Sequence, residues 1–499
     1  MIVSGATIGR HRTEIADAVV VGTGAGGAPV AAGLAEAGLR VVMVEEGEQH
    51  DPASLTARPR DMVPRLYRDA GQLVTVGDPP IVLPLGRAVG GTTLVNSGTC
   101  FRTPPHVLER WRREHGLELD LDDAFERVER ELGVGEVPAE LAGRNAEVVR
   151  RGAATLGVSG GYLRRNVRGC VGSGVCAYGC PAGAKQHAGA TYVPKAWAAG
   201  ARTFTRARVD RILRDGRSGR ATGVEARTPA GGRLTVRAPL VVLAAGSIHT
   251  PVLLARNGIG GRSGQLGRNL SIHPATAARA RFDEEIVLWE GVPQSYYVDE
   301  LAGDGIMLEG IAGPPDYLAM SIPRSGHAHR ELMLDARRLA QFGVMVSDTA
   351  RGRVHRLLGR PVVRYDLHPA DARRFQRGLE LLARIWFAAG AREVVVPVAG
   401  VPALRDGDVS PLRAARVRPR DLSLMAFHPL GTARAGADPR RSVVGPDLQV
   451  HDVPGLYVSD GSVVPSSLGV NPQITIMALA TRLADALTGR RAGPVPSPA

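Results

Sequence analysis

The sequence predicts an α/β chain in two parts: a doubly wound domain, and a discontinuous α+β domain built on an antiparallel sheet. Three observations predict it. Near the N-terminus an apolar run of strand length, Ala18 to Val21, leads into Gly22-x-Gly24-x-x-Gly27, a helix-like segment to Ala37, a second apolar run from Val41 to Val44, and Glu45. Far downstream, Leu456-Tyr-Val-Ser-Asp460-Gly461 again runs from a strand to an acid and a glycine. Between them, residues 276–420 mix strand-like runs with one long helix, about Pro369 to Ala389, and carry no phosphate-binding glycines. That middle stretch reads as a substrate domain.

The first unit has the element order of a Rossmann-like βαβ motif. Gly22 permits the tight turn, Gly24 lets backbone N–H groups approach a pyrophosphate, and Gly27 lets the helix sit close to the strand. The helix N-terminus then offers unpaired donors and a favourable dipole to two negative charges. Glu45 follows Gly22 by 23 residues, where a carboxylate can accept both hydroxyls of an adenosine ribose. The motif specifies an adenine dinucleotide without distinguishing NAD from FAD. Only one complete glycine fingerprint is present, and an enzyme passing hydride between NAD(P)H and a flavin usually needs two. A simple NAD enzyme would leave the returning strand-Asp-Gly without a use.

Taken in order, residues 15–100 form the first part of the dinucleotide domain. They end in Gly86-Arg-Ala-Val-Gly-Gly-Thr-Thr-Leu-Val-Asn-Ser-Gly98, where paired glycines and small hydroxyl residues suit either a connector or backbone pressed against a ligand. Residues 101–190 read as a cap and a cysteine loop, with a charged helix from Leu119 to Leu132. Residues 191–275 are a second part of the dinucleotide domain. Within them Ala201 to Leu243 reads as a hairpin meander ending in the buried strand from Leu240, followed by a helix from Thr250 to Asn257. In the middle domain the strand-like runs are Phe342 to Val346, Val362 to Tyr365 and Val394 to Val396. Residues 421–490 complete the dinucleotide domain, with a helix from Ile474 to Leu487, and 491–499 are a frayed tail.

The chain has 499 residues and a net charge of +13. Of its 62 basic residues only Lys185 and Lys195 are lysine, and the arginines are spread along the sequence, a composition bias and not a nucleic-acid-binding patch. Peripheral contact with a membrane or an acidic partner stays open. No apolar stretch approaches the ~20 residues of a membrane span, and the first residues lack a signal-like apolar segment, so a cytoplasmic location is expected.

Several further motifs, in order, resemble those of the glucose–methanol–choline (GMC) flavin oxidoreductases. They are Gly22 to Glu45, Gly86 to Asn96, Gly246-Ser-Ile-His-Thr-Pro251 continuing to Asn257-Gly-Ile-Gly260, His428-Pro-Leu-Gly-Thr432, and Asp460-Gly461 with Asn471-Pro-Gln473. The cysteine loop Cys170-x5-Cys176-x3-Cys180-Pro-x-Gly-Ala-Lys185 is similar to the subgroup that includes bacterial long-chain or hydrophobic alcohol oxidases and dehydrogenases. The resemblance implies one FAD. Gly22, Gly24, Gly26 and Gly27 would hold the pyrophosphate and Glu45 the ribose. Gly90, Gly91, Thr92 and Asn96 would follow the pyrophosphate, ribityl chain and flavin. Val209 would meet adenine, Ala245 would join the cofactor-binding set, and Asp460 and Gly461 would meet the pyrophosphate or ribityl end. Pro472 and Gln473 would aim a helix at the flavin pyrimidine edge. No histidine stands in Thr93 to Asn96, the neighbourhood through which some members attach FAD covalently, so non-covalent FAD is expected. Asn257 stands where the second signature usually has serine.

The implied reaction removes hydride from a carbinol carbon, to flavin N5, and a proton from the hydroxyl. His428 is the expected base and Asn471 the donor that orients the oxygen, although Asn471 before Pro472 also suits a helix cap. His249 and His273 read as structural. An apolar primary or secondary alcohol is the expected substrate, with oxygen or an external acceptor reoxidising the flavin. The three clustered cysteines suit small residues bracing a loop, a disulfide, or an iron–sulfur cluster at Cys170, Cys176 and Cys180; the first is preferred. No other metal site is expected. Two alternatives stand beside this reading: a non-redox lyase on the same fold, and a dehydrogenase passing electrons through an iron–sulfur cluster to a partner.

Overall fold

The valine run Ala18–Val21 is fully buried and sits inside a six-stranded sheet. The spatial order is Ile2–Ser4, Arg202–Thr205, Val41–Val44, Ala18–Val21, Leu240–Leu243 and Leu456–Val458, with every neighbour parallel. Short β-branched runs suit such strands because both faces are covered and no polar alternation is needed. Helix Gly27–Glu36 packs on Ala18–Val21 and Val41–Val44, and helices Tyr192–Ala198 and Gln473–Thr488 pack against it. The computed structural model describes residues 1–349 and 351–489; the tail expected at 491–499 lies outside the described residues.

The predicted meander is found as Arg208–Arg214, Ala221–Arg227 and Arg233–Arg237, paired antiparallel. Two details differ from the sequence reading. His11–Ile15, unassigned by sequence, adds to this sheet in parallel, and Arg202–Thr205, read as part of the meander, belongs to the parallel sheet. Neither pairing is local in sequence, so alternation alone gives no sign of it.

The α+β part is an antiparallel sheet in the order Leu404–Arg405, Glu393–Val395, Pro274–Arg281, Leu339–Val346, Ile306–Gly310, Tyr296–Val298 and Gly160–Tyr162, with Met425–Ala426 also paired to Pro274–Arg281. Each described pairing in it is antiparallel. The long helix is Pro369–Ala388; the His368 ring accepts the Ala370 N–H at its start, and its buried Phe375, Leu379, Leu382 and Trp386 cover one sheet face. Leu308, Phe342 and Val344 point to that helix, and the alternate residues Met307 and Met345 join the core of the parallel-sheet side. The period of 2 along each strand thus leaves one face turned toward the dinucleotide-binding part. Glu309, buried, lies on that face.

The helix read from Thr250 begins four residues earlier, at Gly246, and the charged helix read from Leu119 begins at Asp122. The first difference has a specific cause. Pro251 lies inside the helix and cannot donate to the Ser247 carbonyl four residues back. Thr432 Oγ1 donates to that carbonyl instead, at 2.5 Å. The proline of one motif is accommodated by the threonine of another. Thr432→Val should therefore cost about 1–3 kcal/mol in denaturant unfolding, because it orphans a buried carbonyl, whereas Thr432→Ser should restore most of it.

Candidate active site

The glycine turn is shaped by backbone approaches no side chain would allow. Gly22 has φ +98°, and a Cβ on it would lie 2.3 Å from the Ala244 carbonyl oxygen. A Cβ on Gly26 would lie 1.6 Å from the Ser459 carbonyl oxygen. The turn is thus clamped between the ends of the Leu240–Leu243 and Leu456–Val458 strands. The helix that follows has no side-chain cap. Its first N–H groups point out of the sheet as an anion-binding terminus does.

The other residues named from sequence gather around this turn. Glu45 accepts bonds from Thr23 N (3.0 Å), Thr23 Oγ1 (2.7 Å) and Gly47 N (2.8 Å). Burial raises its pKa while these bonds pull the other way. Thr23 Oγ1 also receives the Gly90 N–H at 3.1 Å, and a Cβ on Gly91 would lie 3.0 Å from Gly24 Cα, so the two glycine turns lie against each other. Thr92 Oγ1 accepts the Gly86 N–H at 3.1 Å. Ala207 N donates to the Glu45 carbonyl at 2.9 Å, which brings the strand holding Val209 to the same corner. Asp460 accepts from Gly246 N (2.9 Å), Thr250 Oγ1 (2.6 Å) and Ser462 N (2.8 Å), tying the Ala245–Gly246 turn to Asp460–Gly461. Asn96 Nδ2 donates to Gln473 Oε1, at the first turn of the helix that Pro472 precedes; Gln473 Nε2 is buried with no partner. An extended dinucleotide fits this set. The turns leave backbone free for its phosphates, and the unpartnered Gln473 amide offers a donor at the far end.

His428 and Asn471, 43 residues apart, meet at 3.4 Å between the ring Nε2 and the amide Nδ2. Asn471 makes no capping bond to the helix that follows it; its amide also donates to Glu309 Oε2 at 3.3 Å. The His428 ring stacks edge-on against His273, centroids 5.3 Å apart. Burial pushes the His428 pKa down to about 4, so the ring is neutral above that pH. His273 accepts the N–H groups of Leu468 (2.9 Å) and Gly469 (3.0 Å) at Nε2. Asp348 accepts from His273 N (3.2 Å), Ile272 N (3.1 Å), Ser467 Oγ (2.9 Å) and Tyr365 OH (2.8 Å). Asp348 and His273 together therefore fix the segment that delivers Asn471, a structural role for His273 like the one read from sequence.

Sequence reasoning missed Glu309. It lies in the strand Ile306–Gly310 and is tied to Asn471 and, at 2.6 Å, to Gln294 Nε2; Gln294 in turn accepts the Thr99 hydroxyl at 2.7 Å. Burial pushes its pKa up to about 7. Its signal was available as the one carboxylate in the otherwise uncharged run Ile306-Met-Leu-Glu-Gly310. Three buried polar atoms from three segments are left without partners: His428 Nδ1, Asn471 Oδ1 and Glu309 Oε1. His187 lies against the second glycine turn; a Cβ on Gly90 would be 2.8 Å from its Nδ1. His249 is half-buried, and loss of water around its ring drops its pKa to about 3. Asn257 holds Ile212 N at 2.9 Å through its side-chain oxygen, a hydrogen bond within the fold. Cys170, Cys176 and Cys180 are free thiols, and among the described residues no three His, Cys, Asp or Glu side chains form a group able to hold a metal ion.

A dinucleotide cradle beside a half-buried, neutral imidazole is the arrangement of a flavin-dependent oxidoreductase. Residues 63–275 match the N-terminal profile and residues 348–480 the C-terminal profile of the GMC oxidoreductases. The chain is 44% identical over 484 residues to a GMC-type oxidoreductase of Mycobacterium tuberculosis, covering 96% of this chain and 76% of that one. It is 29% identical over 518 residues to a long-chain-alcohol oxidase of Arabidopsis thaliana, covering 95% and 67%. Among solved structures it matches pyridoxine 4-oxidase from Mesorbium loti with a TM-score of 0.74 at 21% identity, over 96% of this chain and 100% of that one, a likeness of fold. The chain belongs to the GMC oxidoreductase family, whose cofactor is FAD.

Proposed function

We propose that this enzyme oxidises an alcohol to an aldehyde or ketone, with His428 as the base and Asn471 as the donor that orients the alcohol oxygen. The observation that carries this reading is the meeting of His428, Asn471 and Glu309 from three separate segments, through His428 Nε2, Asn471 Nδ2 and Glu309 Oε2, while His428 Nδ1, Asn471 Oδ1 and Glu309 Oε1 stay buried without partners. Buried polar atoms without partners are costly and mark a place for a polar ligand. A neutral imidazole is ready to accept a hydroxyl proton; one Asn471 N–H is held by Glu309, and the other, which faces His428 Nε2 at 3.4 Å, turns to the alcohol oxygen as negative charge grows on it. In this reading Gly22, Gly24, Gly26, Gly27, Glu45, Gly90, Gly91, Thr92, Asn96, Val209, Ala245, Asp460, Gly461, Pro472 and Gln473 hold the FAD. Bound FAD supplies the acceptor for the hydride of the carbinol carbon. Residues 276–420 supply the substrate side. The apolar side chains Met307 and Met345, in the rows beside Glu309, favour an apolar alcohol, as does the name of the Arabidopsis relative. Oxygen or an external carrier completes the turnover.

The test is an anaerobic absorbance titration of the FAD-loaded protein with straight-chain primary alcohols of increasing length and a secondary alcohol. Loss of the flavin colour with an alcohol supports the reading. A flavin that no alcohol bleaches overturns it and favours chemistry that leaves the flavin oxidised.

Glu309 gives a further expectation. Its carboxyl is raised from 4.5 to about 7, so the folded protein holds a proton there that the unfolded chain releases. The associated stability is complete below about pH 4.5 and is lost as pH rises toward 7, on the order of 3 kcal/mol at most. Glu309→Gln should remove this term. Between pH 5 and 8 its melting temperature should fall less than that of the parent protein, measured side by side by calorimetry.

A further inference from the structure

Outside the catalytic group, the loop from Cys170 to Lys185 encloses an unusual charge arrangement. Arg165 and Lys185 are buried, 0% and 2% exposed. Among the described residues neither has a carboxylate within salt-bridge distance. Lys185 Nζ donates to the carbonyls of Asn96 (2.7 Å) and Cys176 (2.8 Å). Arg165 Nε donates to the Ser97 carbonyl at 2.8 Å, and its Nη2 donates to that carbonyl at 2.5 Å and to Cys176 Sγ at 3.1 Å. Its Nη1 is buried with no partner. Two buried basic groups without an acid are costly: burial pushes the Lys185 pKa down to about 8, and removing water from the charged forms makes a nearby anion strongly favoured. The group beside them that can become an anion is the Cys176 thiol: Arg165 touches its sulfur, and Lys185 holds the carbonyl of the same residue. The choice of lysine adds to this: in a chain with 62 basic residues only two are lysine, and one is placed here.

We propose that Cys176 is held as a thiolate by Arg165 and Lys185 and is a site of oxidation by hydrogen peroxide. The thiolate sulfur attacks one peroxide oxygen; an S–O bond forms as the O–O bond breaks. Sulfur gives up two electrons and becomes a sulfenic acid, the transferred oxygen keeping its hydrogen, and the departing hydroxide takes a solvent proton to become water. Burial pushes the Cys176 pKa up, but Arg165, Lys185 and the Arg165 hydrogen bond outweigh it, and the net shift is downward. By contrast, burial pushes Cys100 up to about 12. Cys176 shares a small cavity with Cys170, Cys180, Lys185, Val292 and Pro293, about 10 Å³ in volume, room for about one water-sized molecule. Oxidation would remove the negative charge between two cations that also hold the carbonyls of Asn96 and Ser97. That links the thiol to the segment whose Asn96 side chain bonds Gln473. The proposal stands on this charge arrangement and is independent of the reading of His428.

The experiment uses the FAD-loaded full chain. It is pulsed with hydrogen peroxide, quenched with catalase, and denatured in excess N-ethylmaleimide, and the loss of alkylatable thiol is read at each of the four cysteines by peptide mass spectrometry. Cys176 should be lost first, at least about tenfold faster than Cys100, and its rate should fall by no more than about tenfold between pH 8 and pH 6. A thiol of ordinary pKa would slow by tens-fold over the same interval. Arg165→Met should restore the ordinary pH dependence; should that variant not fold, the comparison of four thiols within one parent molecule decides alone. Loss at Cys170 or Cys180 before Cys176, equal loss at Cys100, or a steep pH dependence at Cys176 overturns the proposal.

Discussion

Substitution of His428 by alanine should slow anaerobic reduction of the flavin by alcohol about 10²–10⁴-fold, the range expected for loss of a positioned general base. The FAD should stay bound, because the glycine turns and Asp460 make their described contacts without the His428 ring. The pH profile should identify the same group. With the ring depressed to about 4 by burial, the acid limb of the parent enzyme should lie well below the ordinary histidine value of about 6.5. An acid limb near 6.5, or a His428→Ala variant that still bleaches with alcohol at the parent rate, would remove His428 from the base's role. Asn471→Ala should give a smaller loss that falls on kcat more than on KM, since a donor to a developing oxyanion acts mainly in the transition state.

The second large effect belongs to Gly26. Alanine there would place its Cβ 1.6 Å from the Ser459 oxygen, 2.5 Å from the Ser459 carbon and 2.8 Å from Asp460 Cα. All three are backbone atoms, so no side-chain rotation relieves the overlap. Either the first helix or the Asp460 loop must move, and both border the dinucleotide cradle. Gly26→Ala should cost at least about 3 kcal/mol of stability and lower FAD content at least about tenfold, which needs only ~1.4 kcal/mol of lost cradle geometry. The flavin-to-protein absorbance ratio and the melting temperature check both. A variant that carries full FAD with an unchanged melting temperature would show that the clamp between Gly26 and Ser459 is not needed.

Much of this protein was legible as a string. The strand–glycine–helix–strand order of residues 18–45 rests on local chemistry, because φ, helix propensity and β-branching act over a few residues. The long helix was found within one residue of its end for the same reason. The start of the Gly246–Arg256 helix was missed because Pro251 reads locally as a breaker, and the Thr432 bond that accommodates it comes from 181 residues away. Arg202–Thr205 was assigned to the wrong sheet because pairing partners are not written in alternation.

The site divides along the same line. Sequence by itself determined the family, the glycine turns and the motif positions of His428 and Asn471, since each lies within a short pattern whose spacing carries the chemistry. Tertiary structure alone decided that Glu309 stands beside Asn471, that Asp348 and His273 fix the segment bearing it, and that Arg165 and Lys185 face Cys176 with no acid between them. Those facts are matters of burial and charge balance. A carboxylate in a strand or a lysine in a loop has no sign of its own until the fold decides whether water or another charge lies next to it.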